Sequence, residues 1–249
     1  MRRRARVACS AGFTMVELAV VVSIVGLLGV IATSGFTGYM QVRDRARAQA
    51  EAETARQAIR AFALRHGRLP CPDGSANGGA GREGVGGTCS GTAQVGWLPF
   101  EVLGLQPTEP RKRMRYAVGR VGIDLVAPPA PPGIDPDLDG SKRLFAALST
   151  AATRAVASDR PYLARPGSIA VPGTCATVQS NPAFVVIAPV SDRDNAGTVP
   201  GFDGLNQGMA SGASLCIAAP SRPMDANYDD VVVAESASAL LGWLAANTR

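Results

Sequence analysis

Only a few residues in this chain have types and spacings that could do chemistry. Glu17 stands alone in "FTMVELAVVVSIVGLLGVIA" (13–32), and no other charge occurs between Arg6 and Arg43. A carboxylate in so apolar a setting needs a cation or a proton, because an unpaired buried charge is costly. Asp135, Asp137, Asp139 and Gly140 match the first half of a calcium loop, D-x-D-x-D-G. The bidentate acid expected at the twelfth position is replaced by Ala146, so the preferred expectation is a solvated acidic turn with no cofactor and no bound calcium. Asp229 and Asp230 would face opposite sides of a strand, which makes them a poor acid–base couple. The single histidine, His66, is expected at a helix end against the last carbonyls, and no nucleophile lies near it in sequence. G-x-S-x-G and H-E-x-x-H are absent, and the glycine-rich stretch after Pro72 lacks the G-K-[ST] of a phosphate loop. The expectation is a protein that is not an enzyme.

Five cysteines are present: Cys9, Cys71, Cys89, Cys175 and Cys216. Cys9 precedes the apolar run and the other four follow it. If everything after the run is exported, these four make two disulfides, and three pairings are open. Proximity in sequence favours Cys71–Cys89 and Cys175–Cys216. Buried free thiols are the alternative.

The elements that position these groups begin with the charge distribution. The net charge is +5, from 25 basic and 20 acidic residues. Arg2, Arg3, Arg4 and Arg6 account for four of the 25, so the remainder is 21 against 20, nearly neutral. The basicity is an N-terminal cluster beside an apolar segment, a membrane-insertion signal, and no nucleic-acid partner is expected. From Phe13 to Ala32 a helix would be about 30 Å long, matching a hydrocarbon core. A secretory signal peptide cut near Ser34 and a plain signal anchor both fit the arginines and the apolar run. Neither accounts for Glu17.

Gly12, Phe13, Thr14, Glu17 and Leu18, followed by the apolar run, fill a pattern position by position. In these residues the segment resembles the N-terminus of type IV pilins and type II secretion pseudopilins; the match covers about the first thirty residues. The resemblance implies an α+β fold, a long N-terminal spine helix packed on a small antiparallel sheet domain, with the first half of the helix spanning the membrane. It implies a leader of residues 1–12, a spine over 13–66 with a transmembrane part at about 13–34, and an exported domain over 67–249. A prepilin peptidase would cut between Gly12 and Phe13, the new Phe13 amine would be methylated, and Cys9 would leave with the leader. Glu17 would pair with the N-terminal amine of a neighbouring subunit during assembly. The implied partners are the peptidase, other pilin or pseudopilin subunits and the inner membrane. The implied location is a single-pass inner-membrane protein with a periplasmic C-terminal domain, later part of a pilus or pseudopilus. The length suggests a minor subunit. The contrasting expectation is a membrane-anchored periplasmic binding or enzymatic domain with an ordinary signal anchor.

Beyond Met40 the helical pattern continues: Ala48, Ala52, Ala55, Ile59 and Phe62 recur at spacings of three and four until Gly67 and Pro70 end it. "LPCPD" and "GWLPFEVLGL" bear a looser likeness to segments of some prepilin-like proteins. Strands are expected in "RMRYAVG" (113–119), continued by "VGIDLVAP", in "AFVVIAPV" (183–190) and in "NYDDVVVAES" (227–236). An amphipathic helix is expected from Ser141, with Leu144, Phe145, Leu148, Ala152 and Val156 inward, and a short helix in "ASALLGWLAANTR".

Overall fold

The computed structural model describes residues 14–89, 91–107, 109–129, 142–165, 178–194, 199 and 201–248, with backbone alone for 30–38. The chain forms two compact units, Met1–Asp44 and Arg45–Arg249. Helix α1 (Met15–His66) contributes to both.

The expectation of a membrane-spanning spine is corrected by the first unit. Among the described residues, no helix is long and apolar enough to cross a membrane. The apolar part of α1 carries the carboxylate of Glu17, which is costly in hydrocarbon. The single-pass inner-membrane location with a periplasmic domain rested on that span and is corrected with it. Only the half of α1 from Arg45 onward belongs to the α+β unit, where alanines on one face allow close approach to the sheet. Gly67, at φ 61°, ends the helix in the left-handed conformation, and its N–H bonds Ala63 O at 2.9 Å.

The second unit is built on an antiparallel sheet of order β1-β2-β5-β7: β1 (Val95–Trp97), β2 (Arg115–Val118), β5 (Phe184–Ala188) and β7 (Val231–Glu235). The register sets Val186 opposite Tyr116 on one side and Val233 on the other. Strand β5 lies in the middle and is buried at all five positions. Phe184, Val186 and Ala188 join Ala52, Ile59 and Phe62 of α1, with Leu148 of α2 (Lys142–Thr153) and Leu240 and Leu244 of α4 (Ala237–Asn247). Val185 and Ile187 face the opposite layer, made of Leu205 and Met209 of α3 (Leu205–Ala210) with Phe202, Ile217 and Tyr228. A strand covered on both faces reads as one apolar run, and the pleat divides it between two cores. A second, smaller sheet has the order β4-β3-β6, from β3 (Tyr162–Ala164), β4 (Val178–Ser180) and β6 (Cys216–Ile217); its β3–β6 pair is parallel.

Some local expectations shift. "VGIDLVAP" turns instead of extending β2; Leu125 N bonds Gly119 O at 3.2 Å. Helix α2 buries Leu144 and Leu148, but it ends at Thr153, so Val156 is exposed. Ser141, its expected cap, lies outside the described residues. Ser236 caps α4, accepting from Ala239 N at 3.1 Å.

The segments around "LPCPD" and "GWLP" meet. Asp73 N bonds Trp97 O at 2.8 Å and Trp97 N bonds Asp73 O at 2.9 Å. Gly96 is required there, because a Cβ would sit 2.6 Å from Asp73 O. Cys71 and Cys89 form a disulfide closing this loop, with 5.8 Å between their Cα atoms. Beside it, Glu83 receives a forked pair from Arg68 at 2.6 and 2.7 Å and the Cys71 N–H at 2.7 Å. Burial pushes the Glu83 carboxyl up, but Arg68 and that N–H outweigh it and hold it below its usual range. Replacing both cysteines by serine is expected to cost about 3 kcal/mol through the entropy of the 18-residue separation they close. Urea unfolding of the full chain checks this; a loss under about 1 kcal/mol contradicts it.

Candidate functional site

Gly12 and Phe13, the expected cleavage and methylation residues, lie outside the described residues. The described chain opens on Thr14, which engages Glu17 reciprocally. Thr14 N and Oγ1 donate to Glu17 Oε2 at 2.9 and 3.1 Å, and Glu17 N donates to Thr14 Oγ1 at 3.2 Å. Both residues are exposed. This is a capping box that starts α1 by satisfying N–H groups the helix cannot. The T-x-x-E spacing could have shown it, but the sequence reading gave Glu17 only an assembly role.

His66 sits at the end of α1 as expected, stacked on Phe62 with ring centroids 4.2 Å apart. Burial, then Arg68 and Arg65, lower its pKa against the opposing pull of Glu83. The ring is thus held towards its neutral form, and no nucleophile is paired with it among the described residues. The expected calcium residues Asp135, Asp137 and Asp139 lie outside the described residues, as does Cys175. Cys216 is held in a disulfide.

A different acidic group assembles on the far side of the sheet. Asp203, just before α3, and Asp229 and Asp230, just before β7, bring carboxylate oxygens within 4.8 Å of one another, and all three are buried. Asp203 also forms a second such group with Asp192 and Asp194. The expectation that Asp229 and Asp230 diverge is corrected: β7 begins only at Val231, so the strand pleat does not govern them. Each acid has a distinct set of donors. Asp203 accepts Arg193 N and Asp229 N, both at 2.9 Å. Asp229 accepts Ser191 N at 3.1 Å, the Ser191 hydroxyl, and Arg193 Nε at 2.6 Å. Asp230 Oδ2 accepts Asp203 N at 2.9 Å and Asn206 Nδ2 at 2.8 Å, while Oδ1 has no partner. Burial pushes the Asp203 carboxyl up to about 6 despite its two backbone N–H donors, and Asp229 and Asp194 add to the rise. Asp230 is pushed well up by burial and by the charges of Asp203 and Asp229. Sequence reading missed this site because Asp203 and Asp229 lie 26 residues apart and are joined only by the fold.

A groove of about 710 Å³ lies elsewhere, between α1 and the loops around β1, lined by Arg47, Glu51, Thr54, Trp97, Phe100 and Arg113 among others. Thr54 is its candidate hydroxyl, and that group bonds its own helix at Ala50 O, 2.8 Å away. The groove therefore offers contact area and charge without an activated nucleophile. Compared with models of known families, with characterised proteins and with solved structures, the chain shows no significant match.

Proposed function

We propose that the chain is a structural subunit, minor rather than abundant, of a type IV pilus or type II secretion pseudopilus. A prepilin peptidase removes residues 1–12, the Phe13 amine is methylated, and the mature chain joins other pilin or pseudopilin subunits through its N-terminal segment. The observation that carries this reading is the filled pattern Gly12-Phe13-Thr14 with Glu17-Leu18. The structure adds that Thr14 and Glu17 are the residues that open α1. After cleavage the new amine lies one residue before the cap, and Glu17 of a neighbouring subunit answers its charge. The role is structural, and the α+β unit from Arg45 onward supplies the surface that distinguishes this subunit from others.

Co-expression with a prepilin peptidase tests the reading. Mass spectrometry is expected to find a mature chain beginning at a methylated Phe13, and Gly12→Val is expected to abolish processing. A chain that keeps residues 1–12, or that is cut near Ser34, refutes it.

A further inference from the structure

We propose that the groove between α1 and the loops around β1 docks an acidic peptide segment of a protein partner, its apolar side chains filling the groove and its carboxylates meeting Arg113 and Arg115. The groove lies wholly within the unit from Arg45 onward, so the proposal stands whether or not the chain enters a filament. Its volume of about 710 Å³ falls in the range of binding pockets, about 300–1,000 Å³, and Leu98, Phe100, Leu105 and Met114 give it apolar walls. Its charges do not cancel. Arg47 answers Glu51 at 2.7 Å and Lys112 answers Glu109 at 3.5 Å, which leaves Arg113 without a carboxylate among the described residues.

Arg113 and Arg115 point to an anion. Arg113 is extended, at φ −66° and ψ 133°, and Arg115 begins β2, so the two side chains leave one face while Met114 between them enters the core. Arg113 donates through Nη1 to Asn77 O, but its Nε is buried and bare. The Arg115 guanidinium lies 3.7 Å from the centre of the Trp97 ring, and Trp97 lines the groove. Arg115 has no hydrogen-bond acceptor and no ion pair among the described residues, and its Nε is buried as well. Burial lowers its pKa to about 10, which still leaves it charged at neutral pH. A desolvated guanidinium without an acceptor is costly, and a carboxylate is the planar partner that fits its fork.

A single-stranded nucleic acid would need open ring faces for its bases and a basic track for its phosphates. The groove supplies neither. Arg115 and Gly78 lie against Trp97, where a Cβ on Gly78 would come within 2.5 Å of the ring, and Gly81 lies as close to Phe100. Glu51 and Glu109 also line the groove and repel a run of phosphates. A peptide that alternates carboxylates with apolar side chains answers both the apolar walls and the two arginines.

The test is fluorescence anisotropy of a short labelled peptide of alternating aspartate and leucine, titrated with the full-length chain at low salt. The expected result is saturable binding that weakens as salt is added and is lost when asparagine replaces aspartate in the peptide. Arg113→Gln and Arg115→Gln are each expected to weaken it by about tenfold or more, while Arg65→Gln, at the exposed end of α1, leaves it unchanged. Glu51→Gln is expected to tighten it by removing a negative charge from the groove, and a loss of folding cannot imitate that gain. No saturable binding by the unmodified chain overturns the proposal, as does equal binding of the asparagine peptide or unchanged binding in both folded arginine variants. Tighter binding of oligothymidylate than of the peptide overturns it in favour of a nucleic acid.

Discussion

A chain carrying Glu17→Gln is expected to keep its helix start and its leader processing but to lose its place in a filament. The capping box needs an acceptor at Glu17 for the Thr14 N–H, and a glutamine carbonyl supplies one. Far-UV circular dichroism and cleavage after Gly12 should therefore match the unmodified chain. The negative charge is lost, and with it the partner proposed for the Phe13 amine of a neighbouring subunit. Incorporation into filaments is expected to fall by about tenfold or more, as when one member of a desolvated charge pair at an interface is neutralised. Glu17→Ala removes cap and charge together, so the pair of variants separates the two roles. If the glutamine chain assembles normally and the alanine chain does not, Glu17 is a helix cap alone and its assembly role is wrong.

What the sequence made legible follows from how local the cause is. "AFVVIAPV" marked a buried strand because burial on both faces leaves a continuous apolar run, and β5 is that run. The alanine face of 48–55 marked a packed helix because its period is local. Gly67 marked its end for the same reason. The strands β3, β4 and β6 have two or three residues each, too few for a period, and they were not foreseen. The apolar run at 13–32 suggested a membrane span, yet among the described residues no helix is long and apolar enough to cross a membrane. The Asp229–Asp230 pair was misjudged because its partners, Ser191, Arg193, Asp203 and Asn206, come from distant parts of the chain. Local pattern can place an acid at the edge of a strand but cannot say which loop will close over it.

The same limit hid Glu235, whose removal is expected to be the most destabilising change in the α+β unit. Glu235 ends β7 with its side chain 1% exposed. Arg60, 175 residues earlier on α1, donates through Nη2 to both of its oxygens at 2.7 and 2.9 Å. Arg56 stands 3.7 Å away, and the Arg60 guanidinium lies 5.5 Å from the centre of the Trp243 ring on α4. One carboxylate thus joins α1 to the last strand, while Trp243 brings the last helix against the same arginine. Glu235→Ala leaves the Arg60 guanidinium, at 13% exposure, without its carboxylate, while Arg56 keeps Glu53 at 2.7 Å. Breaking a buried pair in this way costs about 3–5 kcal/mol, whereas an intact pair adds little over apolar packing. Glu235→Leu combined with Arg60→Met is therefore expected to recover most of the loss suffered by Glu235→Ala. Urea unfolding of the full chain measures both. If Glu235→Ala costs less than about 1 kcal/mol, the pair behaves as a solvated surface contact, and the hold of α1 on the sheet rests on its alanine face alone.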